Sequence, residues 1–149
     1  MHRSKLFALI LLLLISTTAA AADRPFKSSV TATWEKIFDG LFNPPTTFLG
    51  GGPTTHMGNT IQAGDLILFP TENPGVFLGI GTVTLTASNG DTLIFDYVGH
   101  LYAFTGEGIG TFNFTGGTGR FANATGSGTF YALIDTSLPN NQPMTVELD

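Results

Sequence analysis

Val83-Thr84-Leu85-Thr86-Ala87-Ser88-Asn89-Gly90-Asp91-Thr92-Leu93-Ile94-Phe95 is the stretch that decides the fold. Val83, Leu85 and Ala87 alternate with Thr82, Thr84 and Thr86, the two-residue period of a strand with one buried face. Asn89-Gly90 then tolerates positive φ at both central positions, so a type I′ hairpin turn is expected. Thr92 onward returns antiparallel to the incoming strand. One hairpin is thus written into thirteen consecutive residues.

The same grammar extends in both directions, and no window carries a sustained 3.6-residue apolar period. Strands are predicted at 28–36, 54–62, 65–69, 76–87, 92–104, 109–115, 126–135 and 144–149. Between them stand Gly, Pro and Asn punctuation. Residues 37–53 read as a long connection, with Ile37-Phe38 and Leu41-Phe42 as one helical turn. Gly79-Ile80-Gly81-Thr82-Val83, Gly108-Ile109-Gly110-Thr111-Phe112 and Gly126-Ser127-Gly128-Thr129-Phe130 share one pattern, at unequal intervals that exclude a solenoid. Glycine at successive strand starts suits the sharp coiling of a small closed barrel. The expected fold is all-β, an eight-stranded antiparallel barrel filled by side chains.

The chain of 149 residues has room for one such domain. Residues 1–22 read as a secretory signal peptide. His2, Arg3 and Lys5 are its basic start, and Leu6 to Ile15 its apolar run. Ala20-Ala21-Ala22 supplies the small residues for cleavage between Ala22 and Asp23. Ten apolar residues rise about 15 Å as a helix, half of a bilayer core, so an anchor is not expected. The mature domain, 23–149, is expected to be secreted or periplasmic. It keeps Arg24, Lys27, Lys36 and Arg120 against eleven acidic residues, a formal charge of −7. Beyond Lys36 the only cation is Arg120, which excludes a phosphate-backbone or anionic-membrane partner. With no Cys there is no disulfide framework, thiolate metal site or Cys nucleophile.

Gly116-Gly117-Thr118-Gly119-Arg120-Phe121-Ala122-Asn123-Ala124-Thr125-Gly126 resembles the glycine-rich turn of the allene oxide cyclase and dirigent barrels. Thr55-His56-Met57-Gly58 and Ala87-Ser88-Asn89-Gly90-Asp91 extend the likeness to an exported branch of unassigned function. The resemblance runs from about Gly50 to the end. It implies the calycin-like barrel already expected and a barrel that often forms oligomers. It carries over no catalytic residue, because the polar positions of the plant cyclases have no match here. One fold hosts unrelated activities, so function must come from the site.

The candidate sites follow from residue chemistry. Gly117-x-Gly119-x-x-Ala122 mimics a dinucleotide fingerprint, but the small residues after it make no helix to face a pyrophosphate, so no cofactor is expected. Gly116, Gly117, Thr118, Gly119, Arg120 and Phe121 are read as a structural turn, with the guanidinium satisfying turn carbonyls or a nearby carboxylate. Anchoring a ligand carboxylate is the alternative for Arg120. His56 and His100 are the only imidazoles of the mature chain, and no metal-ligand spacing is present. His56 with Asp96 or Glu35 would make an acid–base pair if the barrel interior brought them together. Trp34, Phe95, Tyr97, Tyr102, Phe112, Phe114 and Phe130 are candidates to line an apolar pocket. Phe69, Phe77, Phe104 and Phe121 join them as expected core. Asn113-Phe114-Thr115 and Asn123-Ala124-Thr125 fit the glycosylation sequon, which matters only in a eukaryotic secretory pathway. The reading that results is an exported barrel that binds a small apolar or amphipathic ligand or serves as a structural module. The alternative is a cofactor-free isomerase or cyclase of the allene-oxide-cyclase or dirigent kind. A homo-oligomer built on the outer face is a third class.

Overall fold

The computed structural model describes residues 24–34, 46–138 and 140–149. Eight strands appear among them: β1 (Ser28–Trp34), β2 (Thr46–Thr54), β3 (Gly58–Pro70), β4 (Val76–Ala87), β5 (Thr92–Tyr102), β6 (Glu107–Gly117), β7 (Ser127–Ile134) and β8 (Gln142–Leu148). Each pairs antiparallel with the next, and β8 returns to β1, with Ser28 opposite Leu148 and Trp34 opposite Gln142. The sheet closes as an eight-stranded antiparallel barrel, as expected.

Strict alternation makes the inside. Along β1, Ser28, Val30, Ala32 and Trp34 are buried while Ser29, Thr31 and Thr33 are exposed. Leu85, Phe95, Phe112, Ile134 and Met144 join them in one core. Full burial of a side chain of that size contributes about 1.5–3 kcal/mol, so the interior carries the stability of the domain.

Two strands differ from the expectation. β2 was expected to be connection, because Gly50-Gly51-Gly52-Pro53 reads as loop punctuation. Those glycines instead permit close strand contact: a Cβ on Gly50 would overlap Ala32 and the Thr31 carbonyl, and one on Gly52 the Ser29 carbonyl. The segments 54–62 and 65–69 are in fact one strand, β3, and the turn lies earlier, at Thr55–Met57, where His56 has φ 65°. The helical turn expected at 37–42 lies outside the described residues.

The decisive hairpin forms, but not with a type I′ turn. Ala87 N–H donates to the Asp91 carbonyl and Gly90 N–H to the Ala87 carbonyl, so Ser88, Asn89 and Gly90 make a three-residue loop. Only Gly90 has positive φ, 88°. The Asn89 side chain accepts from Asp91 N–H at 3.0 Å and holds the bend with negative φ. This is the turn-plus-left-handed-glycine solution for hairpins one residue longer.

Candidate functional site: an apolar lumen

The repeated glycines show what shapes the interior. The second glycine of each repeat, Gly81, Gly110 and Gly128, points inward and lies under an aromatic ring. A Cβ there would come within 2.8 Å of Tyr97, 2.7 Å of Phe130 and 2.6 Å of Phe112 respectively. Two residues further on, Val83, Phe112 and Phe130 point into the same interior. Each repeat thus supplies a floor and a filler. The pattern was legible in the sequence, but not which ring would cover which glycine.

Filling is uneven along the axis. Toward the end that holds Phe26 and Asp149, Phe26, Phe95, Phe112 and Phe114 pack edge-to-face or tilted, with ring centroids 4.9–6.1 Å apart. That geometry suits the ring quadrupoles and closes this end. Further along, inward positions are glycine (Gly79, Gly99 and Gly108), and an apolar cavity of about 80 Å³ remains. Its walls include Val30 and Trp34 from β1, Val83 from β4, Phe95 and Tyr97 from β5, Phe130 and Ala132 from β7, and Met144, Val146 and Leu148 from β8. At roughly 10–15 Å³ per water-sized group, the space suits about five to eight heavy atoms. From Met144 to Leu148 is four residues of strand, about 13 Å, so the cavity is slender rather than round.

Few polar groups reach it. Gln62, 2% exposed, donates from Nε2 to Ser28 Oγ at 3.0 Å and to Thr60 Oγ1 at 3.2 Å. Ser28, Thr54 and Thr60 continue as a buried hydroxyl chain. Trp34 Nε1 donates to the Met144 sulfur at 2.7 Å. Tyr97 donates its hydroxyl to the Asp65 carbonyl at 2.6 Å. Burial first, and the Asp65 charge second, push the Tyr97 pKa well above the ordinary phenol value. It therefore stays neutral and acts as a positioning contact.

Of the predicted pocket residues, Trp34, Phe95, Tyr97 and Phe130 line the cavity. Phe112 and Phe114 belong to the aromatic cluster at the closed end. Tyr102 is half-buried at the end of β5, away from the lumen. Phe69 and Phe104, expected inside, are 45% and 85% exposed. Phe69 has outward parity on β3, and Phe104 lies in the β5–β6 turn, over Gly75. Gln62 was not foreseen. Splitting β3 at this residue hid that it shares the inward parity of Thr60 and Leu66.

The acid–base pair is not assembled in the lumen. His56 is exposed in the β2–β3 turn, with Nε2 3.1 Å from the Pro25 carbonyl oxygen. Asp96 is exposed on the outer face of β5 and accepts from the Thr82 hydroxyl at 2.7 Å. The odd residues of β5 point inward, so Asp96 cannot. Glu35, Ala22 and Asp23 lie outside the described residues. Among the described residues no group of three or more His, Asp or Glu could hold a metal ion. The glycine-rich turn forms a single 3-10 turn, Gly119–Phe121, with Thr118 bonded to Thr92 through backbone and side chain.

The outside carries a second feature. Phe69, Leu78, His100, Ile109 and Tyr131 stand side by side in register across β3 to β7. Ile67, Ile80 and Val98 form the adjoining row, which continues through Thr111 and Thr129, while Leu133 stands on the other side of Tyr131, in register with Glu107. Asp65, Asp96, Glu107 and Glu147 lie around this patch rather than in it. On β1 and β8 the outward residues are Ser29, Thr31, Thr33, Pro143, Thr145 and Glu147. Leu49 and Ile61, each 64% exposed, stand apart from the patch on β2 and β3, so among the described residues the apolar surface is concentrated on one face.

Fold and site together define a closed eight-stranded barrel with an apolar lumen and one apolar outer face. No known protein family and no curated protein matches the chain.

Proposed function

We propose that the protein is an exported barrel that holds one small, slender apolar or amphipathic molecule in its lumen and performs no chemistry on it. The cavity of about 80 Å³ is the observation that carries this reading. It lies where glycine replaces inward side chains that the neighbouring layers possess, and its walls offer shape and apolar contact. A cyclase or isomerase has less support, because His56 and Asp96 are outside the lumen. The test is titration of the mature protein with neutral molecules of five to eight heavy atoms, read by fluorescence of Trp34, the only tryptophan. Saturable one-to-one binding is expected, and Ala132→Leu, which fills the cavity, should abolish it while leaving the strand spectrum unchanged. No saturable binding across such a panel would overturn the reading.

The outer face favours a second role, self-association. Five strands about 4.8 Å apart make the patch about 20 Å across, the scale of the apolar centre of a standard interface. Its occupant is a second copy. Each molecule is strongly anionic, yet the centre of the patch carries no carboxylate; Glu107, which accepts from the Tyr131 hydroxyl at 3.1 Å, and Glu147, in register with Tyr131, fall at its β7 edge, where a rim stays wet. Sedimentation equilibrium should show a concentration-dependent oligomer that Ile109→Asp reduces to monomer. A wild-type monomer at concentrations far above micromolar would sink this role.

A further inference from the structure

Gln62 gives the lumen a chemical preference, and the hydroxyl chain beside it fixes which end of its amide faces the cavity. The Thr60 hydroxyl donates to the Gly52 carbonyl at 3.2 Å. It has one proton, so toward Gln62, at 3.2 Å, it can only accept. The amide group on that side must therefore be the NH₂. The rest of the chain then runs one way: Gln62 Nε2 donates to Ser28 Oγ, Ser28 to Thr54 at 2.7 Å, and Thr54 to Thr60 at 3.0 Å. Both amide hydrogens are used.

The carbonyl oxygen is left over. Among the described residues Gln62 makes no further hydrogen bond, yet no fully buried side-chain oxygen or nitrogen there lacks a partner. Oε1 therefore keeps contact with open space. Gln62 points inward, is 2% exposed and lines the cavity, so that space is the lumen. An acceptor with two lone pairs faces walls that are otherwise almost wholly apolar.

We infer that the lumen selects a short aliphatic molecule with one neutral hydrogen-bond donor, the chemistry of a small alcohol, whose hydroxyl is received by Gln62 Oε1. This rests on the lumen-binding reading above and sharpens it. A carboxylate head does not fit. It would meet another acceptor, and the described cations stand outside, with the Lys27 and Arg120 side chains 67% and 55% exposed. An unpaired charge in such a place is costly. An ammonium head would find no carboxylate of the described residues in the lumen, since Asp96 and the rim acids point outward.

The experiment compares 1-hexanol with pentyl methyl ether, its isomer with the same heavy atoms and no donor, with hexanoate as a third probe. Each is titrated into the mature protein and followed by Trp34 emission and calorimetry. The alcohol should bind about tenfold more tightly than the ether, the weight of one buried hydrogen bond. Hexanoate at neutral pH should bind more weakly than either. Gln62→Met, which keeps length and removes the amide, should bring alcohol and ether to equal affinity without weakening the ether. Equal or reversed affinities in the wild type would overturn the selection by Gln62 and leave lumen binding standing. Failure of both neutral probes to bind would overturn lumen binding and this inference with it. The wild-type comparison decides the matter even if Gln62→Met does not fold.

Discussion

At Arg120 the guanidinium Nε lies 3.8 Å from the Asp91 carboxylate across the β4–β5 hairpin, with over half of the side chain in solvent. It also covers the Phe121 ring at 4.9 Å. The carbonyl contacts expected from the turn sequence do not form among the described residues. An exposed pair of this kind is worth about 0–1 kcal/mol and is screened by salt. Arg120→Ala should therefore lower Tm by no more than about 5 °C, and by less in high salt. A larger, salt-independent drop in a thermal melt would restore a buried role. Gly119 is the more constrained neighbour, since its φ is +56° and a Cβ would overlap the Asp91 carboxylate. Tyr97 gives a prediction of another kind. Its folded pKa is raised above the unfolded value of about 10, so its neutral form stabilises the fold fully below that pH. This contribution is lost as pH rises through the folded value. In an alkaline titration of phenolate absorbance, the Tyr97 step should appear only as the barrel unfolds, and Tyr97→Phe should remove it. Reversible ionisation of Tyr97 near pH 10 in folded protein would contradict this.

The strands explain why glycines differ in cost. Gly110 on β6 is hemmed by backbone: a Cβ would overlap the Val98 carbonyl, approach Gly99 Cα at 2.5 Å and meet Phe130 at 2.7 Å. Backbone cannot yield as a side-chain tip can, so Gly110→Ala should cost about 1–3 kcal/mol. Gly90 has open space around it and needs glycine only for its φ of 88°. Gly90→Ala should cost about 1 kcal/mol, the ordinary penalty of a left-handed residue. Urea denaturation of the two variants should rank them in that order, and equal midpoints would refute the packing argument. A bulge in β5–β6 acts at the same scale. The register shifts between Ile94 and Phe95, so that Phe95 faces Phe114 while Ile94 faces Gly116. That slip keeps Phe95, Phe112 and Phe114 all on the inner face, where they close one end.

For the whole molecule, closure is the least local event. Ser28 pairs with Leu148, and Lys27 with Asp149 at 2.6 Å, across nearly the full described sequence. Such contacts repay their loop entropy only late in folding. Removing residues 142–149 would open β1 and β7 as unpaired edges around an apolar interior. The truncated chain should lose its cooperative melt and aggregate rather than survive as seven strands. A soluble, cooperatively melting product would show that closure is dispensable. Export is tested separately: N-terminal sequencing of the exported protein should begin at Asp23, and a start at Met1 would refute cleavage.

The sequence by itself determined the class, whereas its count of eight strands agreed only because β2 was missed while β3 was read as two. Period two, Asn-Gly and Gly punctuation and the G-x-G repeat are properties of neighbouring residues, and neighbours alone decide which face each side chain takes. Trp34, Phe95, Tyr97 and Phe130 were found as lining residues for that reason. β2 stayed hidden because its glycines answer to Ala32 and Ser29 on another strand, not to their own neighbours. His56 and Asp96 looked like partners because sequence lists chemistry without direction; parity on β5 and a turn at His56 send both outward. Only the tertiary structure decided the cavity, the ring over each glycine and the orientation of the Gln62 amide. Each depends on register between strands far apart in the chain, and register is set by packing across the closed sheet.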